Sequence, residues 1–276
     1  MRAARWACRS CRLAPRWRWT RLSLLSPLDR WLAPAPDPDR VAWLRGATFA
    51  HRGLHGPGAP ENGLTAAAAA IARGFGIECD VHKASDGRPV VFHDETLERL
   101  TGVTGALADR TAAQLATLRL LGSDDAVPTL RQLLDLVAGQ VPLLIELKAP
   151  PDGRIGALCL AVRRVLEGYR GAHAVMSFDP RIVRWFRRHA PHTVRGLVVS
   201  EQDDKALAGR WRRHRALWQA QPDFLSYDIR DLPARFPRAQ RRRGLPLVTW
   251  TVRSPELLAR ALDHADAPTV EGAGVP

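Results

Sequence analysis

From residue 47 onward, short apolar runs alternate with longer stretches whose apolar positions recur at helical spacing. The runs Ala47–Ala50, Gly76–His82, Pro142–Lys148, Ala174–Phe178, Val194–Ser200, Asp223–Ile229, Pro246–Val252 and Thr269–Glu271 read as eight strands. Between them, Leu64–Arg73, Thr129–Ala138, Ile155–Glu167, Pro180–Arg188, Asp204–Trp218, Pro233–Arg243 and Pro255–His264 read as helices. Asp179-Pro180 and Ser254-Pro255-Glu256 supply helix-start signals. Strands separated by helices predict right-handed βαβ units and a parallel sheet. Eight such units in about 225 residues favour a closed α/β architecture, the (β/α)8 or TIM barrel, over an open doubly wound sheet. No GxGxxG or GxxxxGK[ST] loop follows the first strand, which lowers a nucleotide-binding reading further.

One stretch breaks the alternation. Residues 83–128 separate the second strand from the next helix and carry an apolar run (Pro89–Phe92), a glycine-rich turn (Gly102–Gly105) and a short helical piece (Thr111–Leu118). An insertion at the C-terminal end of a barrel strand usually serves the active site. After the eighth strand little sequence remains, so the eighth helix is expected to be short or missing. The domain is expected to span residues 46–276, preceded by a basic leader and linker over 1–45. That leader interleaves arginine with Trp6, Trp17, Trp19, Trp31 and Trp43, and Ala33-Pro34-Ala35-Pro36-Asp37-Pro38-Asp39 reads as its linker. It lacks the apolar core and cleavage site of a secretory signal. A flexible basic leader, or a start placed too early, is the expectation, with weak peripheral membrane contact as the alternative.

Charge then changes the picture. The chain has 276 residues with 41 Lys+Arg against 28 Asp+Glu, a net charge of +13. The surplus sits in residues 1–50 and 170–243, whereas 51–169 is slightly acidic. Only Lys83, Lys148 and Lys205 are lysines, and the arginine excess beside abundant Ala and Pro reads as GC-rich codon usage, which is expected to account for much of the basicity. No apolar run approaches the ~18 residues of a membrane span. The four cysteines make no disulfide framework: Cys8 and Cys11 form a lone CxxC, and Cys79 and Cys159 read as buried thiols. A cytoplasmic setting is expected.

Strand alternation puts Glu78, Asp80 and His82 on one face of the second strand, opposite Cys79 and Val81. Glu146 and Lys148 share a face of the third strand. Three inward carboxylates on neighbouring strands would repel one another unless something positive binds them, and hard oxygen donors suit Mg²⁺ or Ca²⁺. The plainer alternative is internal pairing with Arg52 and Lys148. His51 and His93 each follow an apolar strand, at the end where barrel enzymes keep catalytic groups. Two histidines beside a divalent cation can share proton transfer, and Arg52 and Lys148 can clamp a phosphoryl group. His82 is ambiguous and His55 sits in a glycine-rich loop. The remaining five, His214 among them, read as surface or helix-end residues.

These motifs in this order (His51-Arg52-Gly53, Pro60-Glu61-Asn62, Glu78-x-Asp80, Asp86-Gly87, Val90-Val91-Phe92-His93-Asp94, Pro128-Thr129-Leu130, Ile145-Glu146-Leu147-Lys148 and Trp250-Thr251-Val252) resemble the glycerophosphodiester phosphodiesterases over residues 47–272. The resemblance implies a TIM barrel with an insertion after the second strand, and metal-dependent hydrolysis of a glycerophosphodiester to glycerol 3-phosphate and an alcohol. It places catalytic histidines at His51 and His93, metal carboxylates at Glu78, Asp80 and Glu146, and phosphate-contacting cations at Arg52 and Lys148. Trp250 matches an aromatic near the pocket mouth. Gly63 stands where the family usually has Thr or Ser, which implies a weaker helix cap. Val270-Glu271-Gly272 replaces the family's Thr-Asp-x-Pro ending. A related barrel phospholipase acting on lysophospholipid headgroups is the alternative reading. A non-enzymatic basic module is the less favoured one, and no nucleic-acid partner is expected.

Overall fold

The computed structural model describes residues 25–202 and 205–276. Nine strands form one sheet: β1 (Phe49–His51), β2 (Gly76–Lys83), β3 (Pro89–Val91), β4 (Leu143–Leu147), β5 (His173–Ser177), β6 (Val194–Val199), β7 (Phe224–Asp228), β8 (Leu247–Val252) and β9 (Ala267–Val270). All but β3 run parallel, and β1 pairs with both β2 and β9, closing an eight-stranded barrel. Longer helices are α1 (Ser26–Leu32), α2 (Leu64–Ala72), α3 (Leu130–Val137), α4 (Ile155–Leu166), α5 (Pro180–His189), α6 (Leu207–Ala220), α7 (Arg235–Arg242) and α8 (Pro255–His264). Predicted elements and observed ones agree to within a few residues, although Asp204, the expected start of α6, lies outside the described residues. Asp179 and Ser254 cap α5 and α8 by accepting the backbone N–H groups of Arg181 and Leu257. A 3₁₀ turn, Gly272–Gly274, follows β9.

Alternation along the strands sorts side chains into two environments. Outward Val, Leu and Ile pack against the helices, each contributing about 1.5–3 kcal/mol by leaving water. Inward Phe49, Leu144, Val194, Phe224 and Val248 fill the lower barrel, with Val41 and Leu44 plugging its floor. Gly196 is required there, because a Cβ would lie 2.3 Å from the Phe224 ring. The insertion has its own small core of Phe92, Leu97, Leu107, Leu115 and Leu120, and its β3 pairs antiparallel with β2. It therefore projects from the barrel's C-terminal rim as a packed unit.

The segment before β1 is docked from Leu25 onward. Asp29, 1% exposed, accepts hydrogen bonds from His214 Nδ1 at 2.7 Å, Trp218 Nε1 at 2.8 Å and Gln240 Nε2 at 2.7 Å. This corrects the surface placement of His214: α1 covers that face of α6, and a buried carboxylate satisfies the ring. The stretch expected to be a linker is ordered as well, with Ala33 buried and Asp37 capping a turn of helix at Pro38–Val41. Trp6, Trp17, Trp19, Cys8 and Cys11 lie outside the described residues. Cys79 and Cys159 are free, buried thiols.

Candidate active site

The site begins where β1 ends. After His51 the chain turns through Arg52 (φ 57°) and Gly53 (φ 80°), both left-handed. A Cβ at Gly53 would sit 2.9 Å from the Ala66 backbone, so only glycine fits the turn. Holding Arg52 left-handed costs about 1–2 kcal/mol, the kind of strain that collects at functional sites. It aims the Arg52 N–H at Glu78 Oε2, 3.1 Å away. Asn62, also left-handed, clamps Asp80: its amide donates to Oδ2 at 3.0 Å and its Oδ1 accepts the Asp80 N–H at 3.1 Å. Gly63 provides no side-chain cap for α2. Asp125 of the insertion does so instead, accepting from Thr65 N at 2.9 Å and Thr65 Oγ1 at 2.8 Å.

Glu78 and Asp80 on β2 and Glu146 on β4 point into the upper barrel, with Asp80 and Glu146 in register. All three are buried, and one oxygen from each lies within 4.8 Å of the others. Lys148 Nζ bridges Asp80 (2.7 Å) and Glu146, and Arg52 Nε lies 3.2 Å from Asp80. Among the described residues, then, three carboxylates share two directly paired cations. Burial pushes Asp80 up, but Lys148 and Arg52 outweigh it and hold the carboxyl below the ordinary range. Glu78 is pushed well above its ordinary value, by burial first and then by Asp80 and Glu146. Burial also raises Glu146, with Lys148 opposing. The excess negative charge at Glu78 and the all-oxygen donors fit a hard divalent cation.

Two histidines face this cluster. His51 Nδ1 hydrogen-bonds Glu271 Oε2, while its Nε2 lies 3.9 Å from Glu78 Oε2. Burial lowers the His51 pKa, the Glu271 bond opposes that, and Arg52 lowers it again. His93, just beyond β3, donates from Nδ1 to Asp94 Oδ1 at 2.7 Å. Arg99 grips the same carboxylate at 2.6 and 2.9 Å and reaches Glu61 at 2.8 and 2.9 Å; Glu61 in turn accepts from Arg52 Nη1 at 2.7 Å. The Arg99 bonds hold Asp94 down to a pKa of about 2. His82, left ambiguous by the sequence, donates from Nε2 to the His93 carbonyl at 2.9 Å, fixing the backbone that carries His93.

All eight residues singled out in the sequence (His51, Arg52, Glu78, Asp80, His93, Glu146, Lys148 and Trp250) line one cavity of about 290 Å³. Trp250 stacks edge-on against Phe178, with ring centroids 5.6 Å apart. Its Nε1 and the Ser226 hydroxyl, both on cavity-lining residues, are buried with no hydrogen-bond partner among the described residues. Sequence reasoning did not find the partners Glu271, Asp94, Arg99 and Glu61. Asp94 and Glu61 stood inside quoted motifs without a role, and Glu271 follows the last barrel strand, on the face where such residues belong.

The glycerophosphoryl diester phosphodiesterase family model matches residues 51–275. Human glycerophosphodiester phosphodiesterase 1 is 39% identical over 267 residues, covering 83% of this chain and 76% of the relative. A glycerophosphodiester phosphodiesterase of Caldanaerobacter subterraneus is 27% identical over 225 residues, covering 78% of this chain and 88% of its own. Among solved structures, an Oleispira antarctica phosphodiesterase in complex with the product sn-glycerol-3-phosphate superposes with TM-score 0.72 at 24% identity, covering 82% of this chain and 93% of that one. A Silicibacter pomeroyi protein described as a glycerophosphoryl diester phosphodiesterase gives TM-score 0.71 at 26% identity, covering 84% and 93%.

Proposed function

The chain belongs to the glycerophosphoryl diester phosphodiesterase family, a family of phosphoric diester hydrolases, and from that premise we propose a metal-assisted hydrolysis in which His51 and His93 handle the protons. The substrate is a glycerophosphodiester, and water cleaves it to glycerol 3-phosphate and an alcohol. The product found in the Oleispira antarctica relative supports this substrate class. One observation carries the reading: three buried carboxylates, two histidines and two cationic side chains converge on a single cavity.

Glu78, Asp80 and Glu146 would hold one divalent cation, Mg²⁺ or Ca²⁺ by their hard oxygen donors. When bound, such a cation neutralises charge developing on the phosphoryl oxygens. Arg52 and Lys148 line the same cavity and offer those oxygens charge-assisted donors. Of His51 and His93, one accepts a proton from the attacking water and the other donates a proton to the leaving alkoxide. Asp94, backed by Arg99, occupies Nδ1 of His93, which leaves Nε2 for the substrate. Trp250 and Phe178 give an apolar wall for glycerol or headgroup carbons.

The test is glycerol 3-phosphate release from glycerophosphodiesters with choline, ethanolamine, inositol and glycerol headgroups, run beside a lysophospholipid. Turnover on at least one glycerophosphodiester is expected, and loss of that turnover in His93→Ala. Cleavage of lysophospholipid alone would overturn the substrate assignment.

A further inference from the structure

We propose that Glu271 is the positioning residue for His51, fixing its ring orientation and its Nδ1–H tautomer so that Nε2 is presented to the substrate. The inference rests on the proposed role of His51. It concerns a residue in the Val270-Glu271-Gly272 ending, where the family pattern has Thr-Asp-x-Pro.

The placement follows from the barrel's closure. Phe49 pairs with Thr269 and Ala50 with Val270, so continuing the parallel register sets His51 beside Glu271. The Glu271 backbone is tied down: its N–H donates to the Val252 carbonyl at 3.0 Å, and its carbonyl accepts from Gly274 at 3.0 Å. Gly274 packs so closely that a Cβ would lie 2.1 Å from the Val252 oxygen. The side chain, 17% exposed, is held at both oxygens: Oε2 meets His51 Nδ1 and lies 3.6 Å from His55 Nε2, and Oε1 accepts from Arg253 Nε. A carboxylate held this way cannot follow a rotating imidazole, and it accepts only from a protonated Nδ1. His51 Nε2 is then left on the Glu78 side of the ring, 3.9 Å from its carboxylate. His93 repeats the device with other residues, a carboxylate on Nδ1 and an arginine behind it. Each histidine thus has its Nδ1 engaged by a carboxylate that an arginine holds in turn. Neither Glu271 nor Arg253 belongs to the Glu78, Asp80 and Glu146 cluster.

The full chain is compared with Glu271→Gln, Glu271→Asp, Arg253→Ala and His51→Ala, measuring kcat, KM and the ¹⁵N shifts of the histidine rings. His51→Ala identifies the ring signal. Glu271→Gln is expected to lower kcat by about 10–100-fold with KM nearly unchanged, and to move the His51 ring away from the Nδ1–H tautomer. Glu271→Asp should recover part of the loss, and Arg253→Ala should act in the same direction more weakly, giving a second readout if the glutamine variant does not fold. Wild-type kcat in Glu271→Gln, or a fall in kcat with an unchanged ring spectrum, would overturn the positioning role while an inactive His51→Ala leaves the catalytic reading standing. A fully active His51→Ala would instead overturn the catalytic reading itself.

Discussion

Replacing Glu78 by Gln separates cation binding from folding. The substitution keeps the side chain's shape and the oxygen that accepts the Arg52 N–H, but removes one of three buried negative charges. Each like-charged neighbour within 4.8 Å repels it by about 3 kcal/mol at an effective dielectric near 20. The closest cations, Lys148 and Arg52, are already committed to Asp80. In wild type, burial and the neighbouring Asp80 and Glu146 push the Glu78 pKa upward, which relieves part of this repulsion. The expected net gain for the cation-free variant is therefore about 1–3 kcal/mol, or a rise in Tm of roughly 2–10 °C for a domain of this size. The assay is thermal unfolding in EDTA and again with a divalent cation in excess. At 100 times Kd the wild type should gain about 2.7 kcal/mol, and Glu78→Gln almost nothing. A variant less stable than wild type in EDTA, yet retaining the full cation-induced shift, would refute this electrostatic account.

Asp29→Ala leaves His214, Trp218 and Gln240 without their buried acceptor, so unfolding free energy should fall by about 3–5 kcal/mol while kcat stays at the wild-type level; chemical denaturation and initial rates check both halves. Asp94 has a folded-state pKa of about 2 against an ordinary 3.8, so the stability it adds is present above pH 3.8 and is lost as pH falls through about 2. The wild-type advantage over Asp94→Asn in urea unfolding should accordingly shrink between those pH values, and it should be small and salt-sensitive because the carboxylate is only partly buried and its Arg99 partner is exposed. Trp250→Ala removes the wall against Phe178 and should raise KM about tenfold, the equivalent of 1.4 kcal/mol, with a smaller change in kcat.

The barrel was legible because each strand is short, apolar and set off by a helix with its own period, so local pattern and global topology agree. Strand parity likewise anticipated that Glu78, Asp80 and Glu146 would share the interior. What stayed hidden depends on contacts between distant parts of the chain. Asp29 meets its partners across 185 to 211 residues, and Glu271 meets His51 across 220. Periodicity along a helix could not show that α1 would cover His214, nor that Asp125 would cap α2 in place of a side chain at Gly63. The basic surplus reads differently too. Arg195 pairs with Asp223, Arg213 with Glu201 and Arg241 with Asp266, so part of the positive charge serves internal ion pairs.

The central claim is tested most directly by following glycerol 3-phosphate release from a cleaved glycerophosphodiester after EDTA treatment and after re-addition of Mg²⁺ or Ca²⁺, for wild type and for His51→Ala. The account predicts that wild-type turnover disappears with EDTA and returns with a divalent cation, and that the histidine variant stays inactive in both states. Full wild-type turnover in EDTA, or cation-restored turnover in His51→Ala, would contradict it.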